Sequence, residues 1–340
     1  MGEFAIEMRG VVKRFGATVA LDGLSLQVAA RSIVGLLGPN GAGKTTTIDV
    51  LSTLIRPDQG TACVAGHDVL SDPAAVRSLI GMTGQFAALD EKLTARENLV
   101  LFGRLLKLGR SGARTRTDEL LVRFDLAGSA DRLVRTFSGG MRRRLDLAVS
   151  MLAEPAVLFL DEPTTGLDPR SRSALWEMVR ELRDQGRTIL LTTQQLDEAD
   201  ALADRIVVID HGQVIAEGTA AELKERVGGA VCHVAVSYES RDRAVAALAP
   251  LGGVSCDGSR LLVPATAPSA VVDVVRRLDA AEVPVDDLEV RHPTLDDVFF
   301  ALTGHAAGAG PLDPPGPDTP GTTAVGTGHE GGRRLPGASS

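Results

Sequence analysis

The sequence predicts an α/β fold, a mainly parallel sheet layered with helices, followed by a smaller α+β domain. Three observations predict it. Short apolar runs ending at Gly or Asp alternate with helical patterns through the first two-thirds of the 340 residues, as strands buried on both faces of a parallel sheet require. A glycine-rich turn, residues 38–45, stands between one such run and a helical stretch. Beyond Gly228 the order changes to strand, helix, two short strands, helix and strand.

Ile33 to Leu37 is the first core strand, Leu79 to Thr83 precedes Gln85, and Ala156 to Leu160, Thr188 to Leu191 and Ile206 to Ile209 follow. Between Thr94 and about Ala127 the periodicity is helical, opening with Thr94 and Glu97 at capping-box spacing. In the last third, strand Val231 to Ser237, helix Arg241 to Leu248, strands around Val254 and Leu261, helix Ser269 to Leu278 and strand Val285 to Arg291 make a βαββαβ order. That is the split motif of ferredoxin-like folds. A final helix should start at Thr294. From about Ala306 the chain is dominated by Gly, Pro and Thr and lacks the apolar surface to offset its ordering entropy. The expected division is a domain over 1–228, a second over 229–305, and a disordered tail over 306–340.

A formal net charge of -8 argues against nucleic acid as a partner, because that role needs a basic face to displace counterions. No window approaches the roughly 18 apolar residues of a membrane helix. The N-terminus carries Glu3, Glu7 and Arg9 and so lacks the apolar core of a secretory signal; a cytoplasmic location is expected. Cys63, Cys232 and Cys256 form neither zinc-type pairs nor a disulfide framework. They read as reduced thiols, mostly core filler, with no structural metal.

Gly38-Pro39-Asn40-Gly41-Ala42-Gly43-Lys44-Thr45 matches the P-loop pattern in the context that the chemistry demands, after a strand and before a helix. Glycines let successive N–H groups converge on phosphate oxygens, and the helix that Thr46 continues adds its positive end. Lys44 would bridge the β- and γ-phosphates of ATP, and the Thr45 hydroxyl would ligate Mg²⁺. Asp161 and Glu162 end an apolar strand, and a buried carboxylate pair is costly unless a cation sits beside it. Asp161 suits Mg²⁺, and Glu162 suits orienting and polarising the attacking water.

Phe137-Ser138-Gly139-Gly140-Met141-Arg142-Arg143-Arg144 narrows this broad class. It resembles the signature motif of ABC transporter ATPases. The likeness extends through Gln85, the turn Pro163-Thr164-Thr165-Gly166-Leu167-Asp168, and Leu191-Thr192-Thr193-Gln194. The resemblance implies an ABC-type ATPase domain with a mainly parallel core sheet, an antiparallel β subdomain and a helical signature subdomain at about 90–150. It implies a head-to-tail homodimer in which ATP lies between one subunit's P-loop and the N-terminus of the other's signature helix, where Ser138, Gly139 and Gly140 form an anion site. It further implies Asp168 communicating across that interface, Gln85 reaching Mg²⁺ and the attacking water, and Phe15 stacking on adenine. A separate transmembrane permease would place the chain at the cytoplasmic side of the membrane.

Two positions depart from the family pattern: Met141 replaces the usual Gln, and Gln194 replaces the usual histidine of the γ-phosphate site. The arginine run 142–144 reads either as support for the nucleotide interface or, the preferred reading, as a solvated face with Arg142 and Asp146 paired at i,i+4. Gln194, the segment 138–146 and the C-terminal Leu295-Asp296-Asp297-Val298-Phe299 with Leu302-Thr303-Gly304 resemble one branch, the daunorubicin-resistance drug-exporting ATPases. That branch implies export of a hydrophobic, anthracycline-like drug. Leu295, Val298, Phe299 and Leu302 mark one apolar helix face, which reads as internal core or, as the branch resemblance implies, in part as a surface for assembly with the membrane protein or a second ATPase subunit. Alternatives are a polysaccharide or glycolipid exporter, which only the permease's sequence or a transport assay would distinguish, and a soluble ABC ATPase without transport. The single P-loop, the lack of heptad or zinc patterns and the acidic balance oppose the latter. Retention of Lys44, Asp161 and Glu162 opposes a regulator without turnover.

Overall fold

The computed structural model describes residues 4–84, 89–257, 260–265 and 268–304. Gln85 and the segment 306–340 lie outside the described residues.

Strands β1 (Phe4–Phe15) and β2 (Thr18–Ala29) form a long antiparallel hairpin. Along β2, Leu24, Leu26 and Val28 are buried and the residues between them exposed, the alternation of a sheet with one wet face. Strand β3 (Ile33–Leu37) is buried at every position and leads through the glycine-rich turn into helix α1 (Lys44–Leu51). Strands β4 (Gln59–Val64) and β5 (His67–Asp68) complete an antiparallel sheet of order β2-β1-β4-β5. Helix α2 (Pro73–Leu79) then hands the chain to strand β6 (Ile80–Thr83).

The expected helical stretch is α3 (Ala95–Leu105), α4 (Gly109–Arg123) and α5 (Gly139–Ser150). The capping box read from Thr94 and Glu97 is present: the Glu97 N–H donates to Thr94 Oγ1 at 3.1 Å and the Thr94 N–H to Glu97 Oε2 at 2.8 Å. Strand β7 (Val157–Asp161), helix α6 (Pro169–Asp184), strand β8 (Thr188–Thr193), helix α7 (Leu196–Leu202), strands β9 (Arg205–Asp210) and β10 (Gln213–Gly218) and helix α8 (Ala220–Val227) follow. The main sheet runs β10-β9-β3-β8-β7-β6. Its five strands from β9 to β6 are parallel, and β10 is an antiparallel edge. Two apolar cores lie on its faces, one toward α3–α6 and one toward α1 and the antiparallel sheet.

The last third is β11 (Val231–Val236), α9 (Arg241–Leu248), β12 (Ser255–Asp257), β13 (Arg260–Pro264), α10 (Pro268–Ala280) and β14 (Val285–Arg291). All pairs are antiparallel, in the order β12-β13-β11-β14, which is the ferredoxin-like arrangement. Cys232, Val234, Leu261 and Val263 pack against Leu248, Val274 and Leu278. Only Cys232 of the three cysteines is fully buried; Cys63 is half-buried and Cys256 exposed, so the core-filler expectation is too broad.

Helix α11 (Leu295–Thr303) begins at Thr294, which caps it. Its apolar face is mostly internal core, the first of the two readings of its periodicity. Leu295, Val298 and Phe299 are buried within the chain, in one cluster with Leu196, Ala199, Ile206, Val208 and Leu223 from α7, β9 and α8. Leu302 is left partly exposed. Periodicity states that a face is covered and is silent on what covers it; here the chain's own α/β core covers three of the four positions.

Candidate nucleotide site

The C-terminal ends of β3, β8, β7 and β6 lie side by side, the edge at which open parallel sheets bind ligands. This order brings into one row the turn 38–45 after β3, Gln194 after β8 and Glu162 after β7. Three segments distant in sequence thus meet because β8 inserts between β3 and β7.

The phosphate turn is anchored at its end. Gly43 adopts φ 106, and a Cβ there would lie 2.7 Å from the Ala20 carbonyl oxygen of β2, so only glycine lets β2 pass this close. The Gly212 N–H donates to the Ala42 carbonyl at 3.0 Å, and the Asp22 N–H donates to the Gly212 carbonyl at 3.0 Å. Gly212 therefore ties the turn to β2, a role the sequence did not single out. Lys44 is buried and its Nζ donates to the carbonyls of Gly38 at 2.8 Å and Pro39 at 3.0 Å. Burial pushes its pKa down, and the neighbouring Glu162 and Asp161 carboxylates oppose that shift. An anionic ligand in the turn would likewise favour the charged ammonium.

Asp161 is buried at the end of β7, where Thr45 Oγ1 donates to its Oδ2 at 3.3 Å and Thr192 Oγ1 donates to its Oδ1. Glu162 has φ 45, an uncommon conformation for a side-chain-bearing residue. Its N–H donates to both the carbonyl and Oγ1 of Thr192 at 3.1 Å, and Thr165 Oγ1 donates to Glu162 Oε2 at 3.2 Å. Thr192 thus sets both carboxylate residues. The sequence contained it in the segment 191–194 without showing this role.

Ser138 is the N-cap of α5, accepting from the Met141 N–H at 3.3 Å. Gly140 is required by packing: a Cβ there would meet Ser171 Oγ at 2.5 Å. Ser171 in turn donates its N–H and hydroxyl to Asp168, the N-cap of α6, at 2.9 and 2.6 Å. The serine hydroxyl, then its backbone N–H, hold the Asp168 carboxyl below its ordinary range. Asp168 is exposed. Among the described residues no hydrogen bond joins Ser138 to the turn 38–45; the two halves of the expected phosphate site are separate within one chain. Phe15 is 51% exposed with Lys13 Nζ 5.4 Å from its ring centre, so it is not a core residue. Gln194 is half-buried in the bend following β8.

The arginine run departs from the solvated face expected. Arg142 pairs with Glu91 at 2.9 Å, and the partner of Asp146 is Arg143, at i,i+3 and 3.2 Å, with both side chains buried. Helical spacing admits both pairs, and the packing of α5 against the end of β7 selects one. Burial pushes the Asp146 carboxyl up to about 6, with Arg143 opposing. A carboxyl whose folded pKa lies above its unfolded value of about 4 favours the native state less as pH rises between the two. Asp146→Asn is therefore expected to remove a loss of stability, at most on the order of 2 to 3 kcal/mol, that wild type shows between about pH 4 and 7. Urea unfolding of both proteins at pH 4.5 and 7 checks the difference in slope.

The family model described as ABC transporter matches residues 21–165, a span holding the phosphate turn, the Ser138 turn and the acidic pair. The chain is 55% identical over 307 residues to daunorubicin resistance ATP-binding protein DrrA3 of Streptomyces coeruleorubidus, covering 89% of this chain and 97% of the relative. It is 41% identical over 302 residues to Nod factor export ATP-binding protein I of Ralstonia nicotianae, covering 88% and 94%. A solved ATP-binding subunit of an ABC transporter superposes with a TM-score of 0.59 at 30% identity, covering 65% of this chain and 92% of that one. With a phosphate turn and an acidic strand end set along one sheet edge, a capped signature helix and a relative 55% identical over 89% of this chain, the chain belongs to the ABC transporter family as an ATP-hydrolysing, ATP-binding subunit.

Proposed function

We propose that the chain energises export of a hydrophobic, anthracycline-like drug through a separate membrane-spanning permease, from the cytoplasmic side of the membrane. The observation that carries this reading is the likeness to the daunorubicin resistance protein, which spans nearly that protein's whole length. Among the described residues no helix is long and apolar enough to cross a membrane, and the permease supplies the path. Residues 1–228 act as the ATPase domain and 229–305 as an accessory domain aiding assembly, with 306–340 as a tail.

In the working dimer each ATP lies between the 38–46 segment of one subunit and Ser138, Gly139 and Gly140 of the other. Phe15 stacks on adenine, for which its exposed ring is suited. Lys44 exchanges its carbonyl partners for phosphate oxygens. Thr45 and Asp161, a hydroxyl and a carboxylate within 3.3 Å of one another, are hard oxygen donors that fit Mg²⁺, and the family resemblance adds Gln85. When bound, that ion neutralises phosphate charge. Glu162 polarises the attacking water, Gln194 holds a γ-phosphate oxygen, and Asp168 senses the facing subunit.

The test is ATP-dependent uptake of doxorubicin into inverted vesicles that contain the chain and its permease. Uptake that Lys44→Ala abolishes supports the proposal. ATP hydrolysis without uptake would reject the drug reading. It would favour the second one, a glycolipid or polysaccharide cargo, for which the Nod factor export relative speaks.

A further inference from the structure

Arg143 lies on α5, within one helical turn of the signature glycines. Its guanidinium serves four acceptors. Nε donates to the Pro163 carbonyl at 2.7 Å and Nη2 to the Asp161 carbonyl at 2.9 Å. Nη1 donates to the Gly84 carbonyl at 2.8 Å and to Asp146 Oδ2 at 3.2 Å. The Asp161 and Pro163 carbonyls belong to the residues on either side of Glu162, and Gly84 immediately precedes Gln85.

The placement has a physical purpose. Glu162 holds a strained backbone conformation, which persists only when its surroundings over-determine it. Thr192 grips the Glu162 N–H from β8, and Arg143 grips the flanking carbonyls from the opposite partner, α5. Only a planar five-donor fork can satisfy this many acceptors in different directions. A buried charged pair is a poor way to gain stability alone, since well-packed apolar residues do as well or better. The arginine is better accounted for by what it aims.

We propose that Arg143 is a positioning residue for ATP hydrolysis, transmitting the setting of the signature helix to the backbone that aims Glu162 and to Gly84 immediately after β6. The proposal rests on Glu162 as the residue that polarises water. In this role a displacement of α5, such as closure of the facing subunit on Ser138 would bring, reaches the backbone on either side of Glu162 through two hydrogen bonds and Gly84 through a third.

The experiment compares Arg143→Lys, Arg143→Met and the surface control Arg142→Ala in the full-length chain with its permease. Lysine keeps the charge opposite Asp146 but lacks the fork. Turnover is expected to fall about tenfold or more in Arg143→Lys and further in Arg143→Met, since small misplacements of reacting groups carry such losses. The KM for ATP and the affinity for a non-hydrolysable analogue stay within about twofold. Arg142→Ala behaves as wild type. In a Glu162→Gln background, Arg143→Lys should alter the residual single-turnover rate by less than about twofold, because no carboxylate remains to be aimed. Wild-type turnover in Arg143→Lys, or a KM rising in step with the loss, would overturn the proposal. So would an undiminished effect in the Glu162→Gln background, the signature of a general brace. If Arg143→Met does not fold, Arg143→Lys decides alone. Wild-type turnover in Glu162→Gln by itself would reject the underlying role of Glu162, and the proposal with it; failure of Arg143 alone leaves that single variant inactive.

Discussion

Glu162→Gln is expected to retain ATP and lose hydrolysis by roughly a thousandfold, within the range that a positioned general base contributes. The substitution is nearly isosteric, and the backbone contacts to Thr192 and Arg143 do not involve the altered carboxyl. The fold and the phosphate turn should therefore be untouched. What disappears is an acceptor for the water's proton, so the dimer closes on ATP and cannot proceed. Size-exclusion chromatography with ATP should show an accumulated nucleotide-bound dimer where wild type shows turnover. Normal hydrolysis, or failure to dimerise with the permease present, would remove Glu162 from the role assigned.

Gln194→Ala is expected to lower turnover by roughly a hundredfold, the equivalent of about 2 to 4 kcal/mol for one lost hydrogen bond in a preorganised site. Gln194 follows β8, whose Thr192 lies beside Asp161 in register, so the residue stands in the row with Glu162 and the phosphate turn. A neutral amide donates and accepts but takes up no proton near pH 7; proton transfer falls to Glu162. Gln194→His should retain activity, because imidazole can supply the same contact. Steady-state hydrolysis and nucleotide affinity of the three proteins, with the permease present, check this. Affinity should change far less than turnover. Wild-type-like hydrolysis in the alanine variant would show that the γ-phosphate is held elsewhere.

The parts of this site that were legible in advance are those that depend on residues adjacent in sequence. The P-loop requires glycines, Lys44 and Thr45 within eight positions of one another, between a buried strand and a helix, and the structure places them so. Ser138 was readable because a cap acts on the N–H three residues ahead; that Asp168 caps α6 appears only in the structure. The core strands were readable because continuous burial leaves continuous apolar runs, β3 and β8 being buried throughout.

Contacts across large sequence separations were not readable in the same way. Nothing local distinguishes Arg143, which reaches the end of β7, from Arg142, which meets Glu91 at the surface. One residue along a helix turns a side chain by about 100°, and only the neighbouring elements decide which direction is interior. Gly212 looks like any hairpin glycine until β2 and Ala42 are found on either side of it. Thr192 becomes a ligand of two residues only when β8 is inserted beside β7. The apolar face of α11 was visible as a period, and tertiary packing assigned it to α7 and α8. By itself the sequence determined the α/β class, the split βαββαβ order, the nucleotide chemistry and the residues that cap its helices, because propensity, periodicity and capping act over a few residues. Only the tertiary structure decided which arginine is buried, what holds Glu162 and where the last helix packs, because those outcomes depend on which distant segments share a sheet edge or helix face.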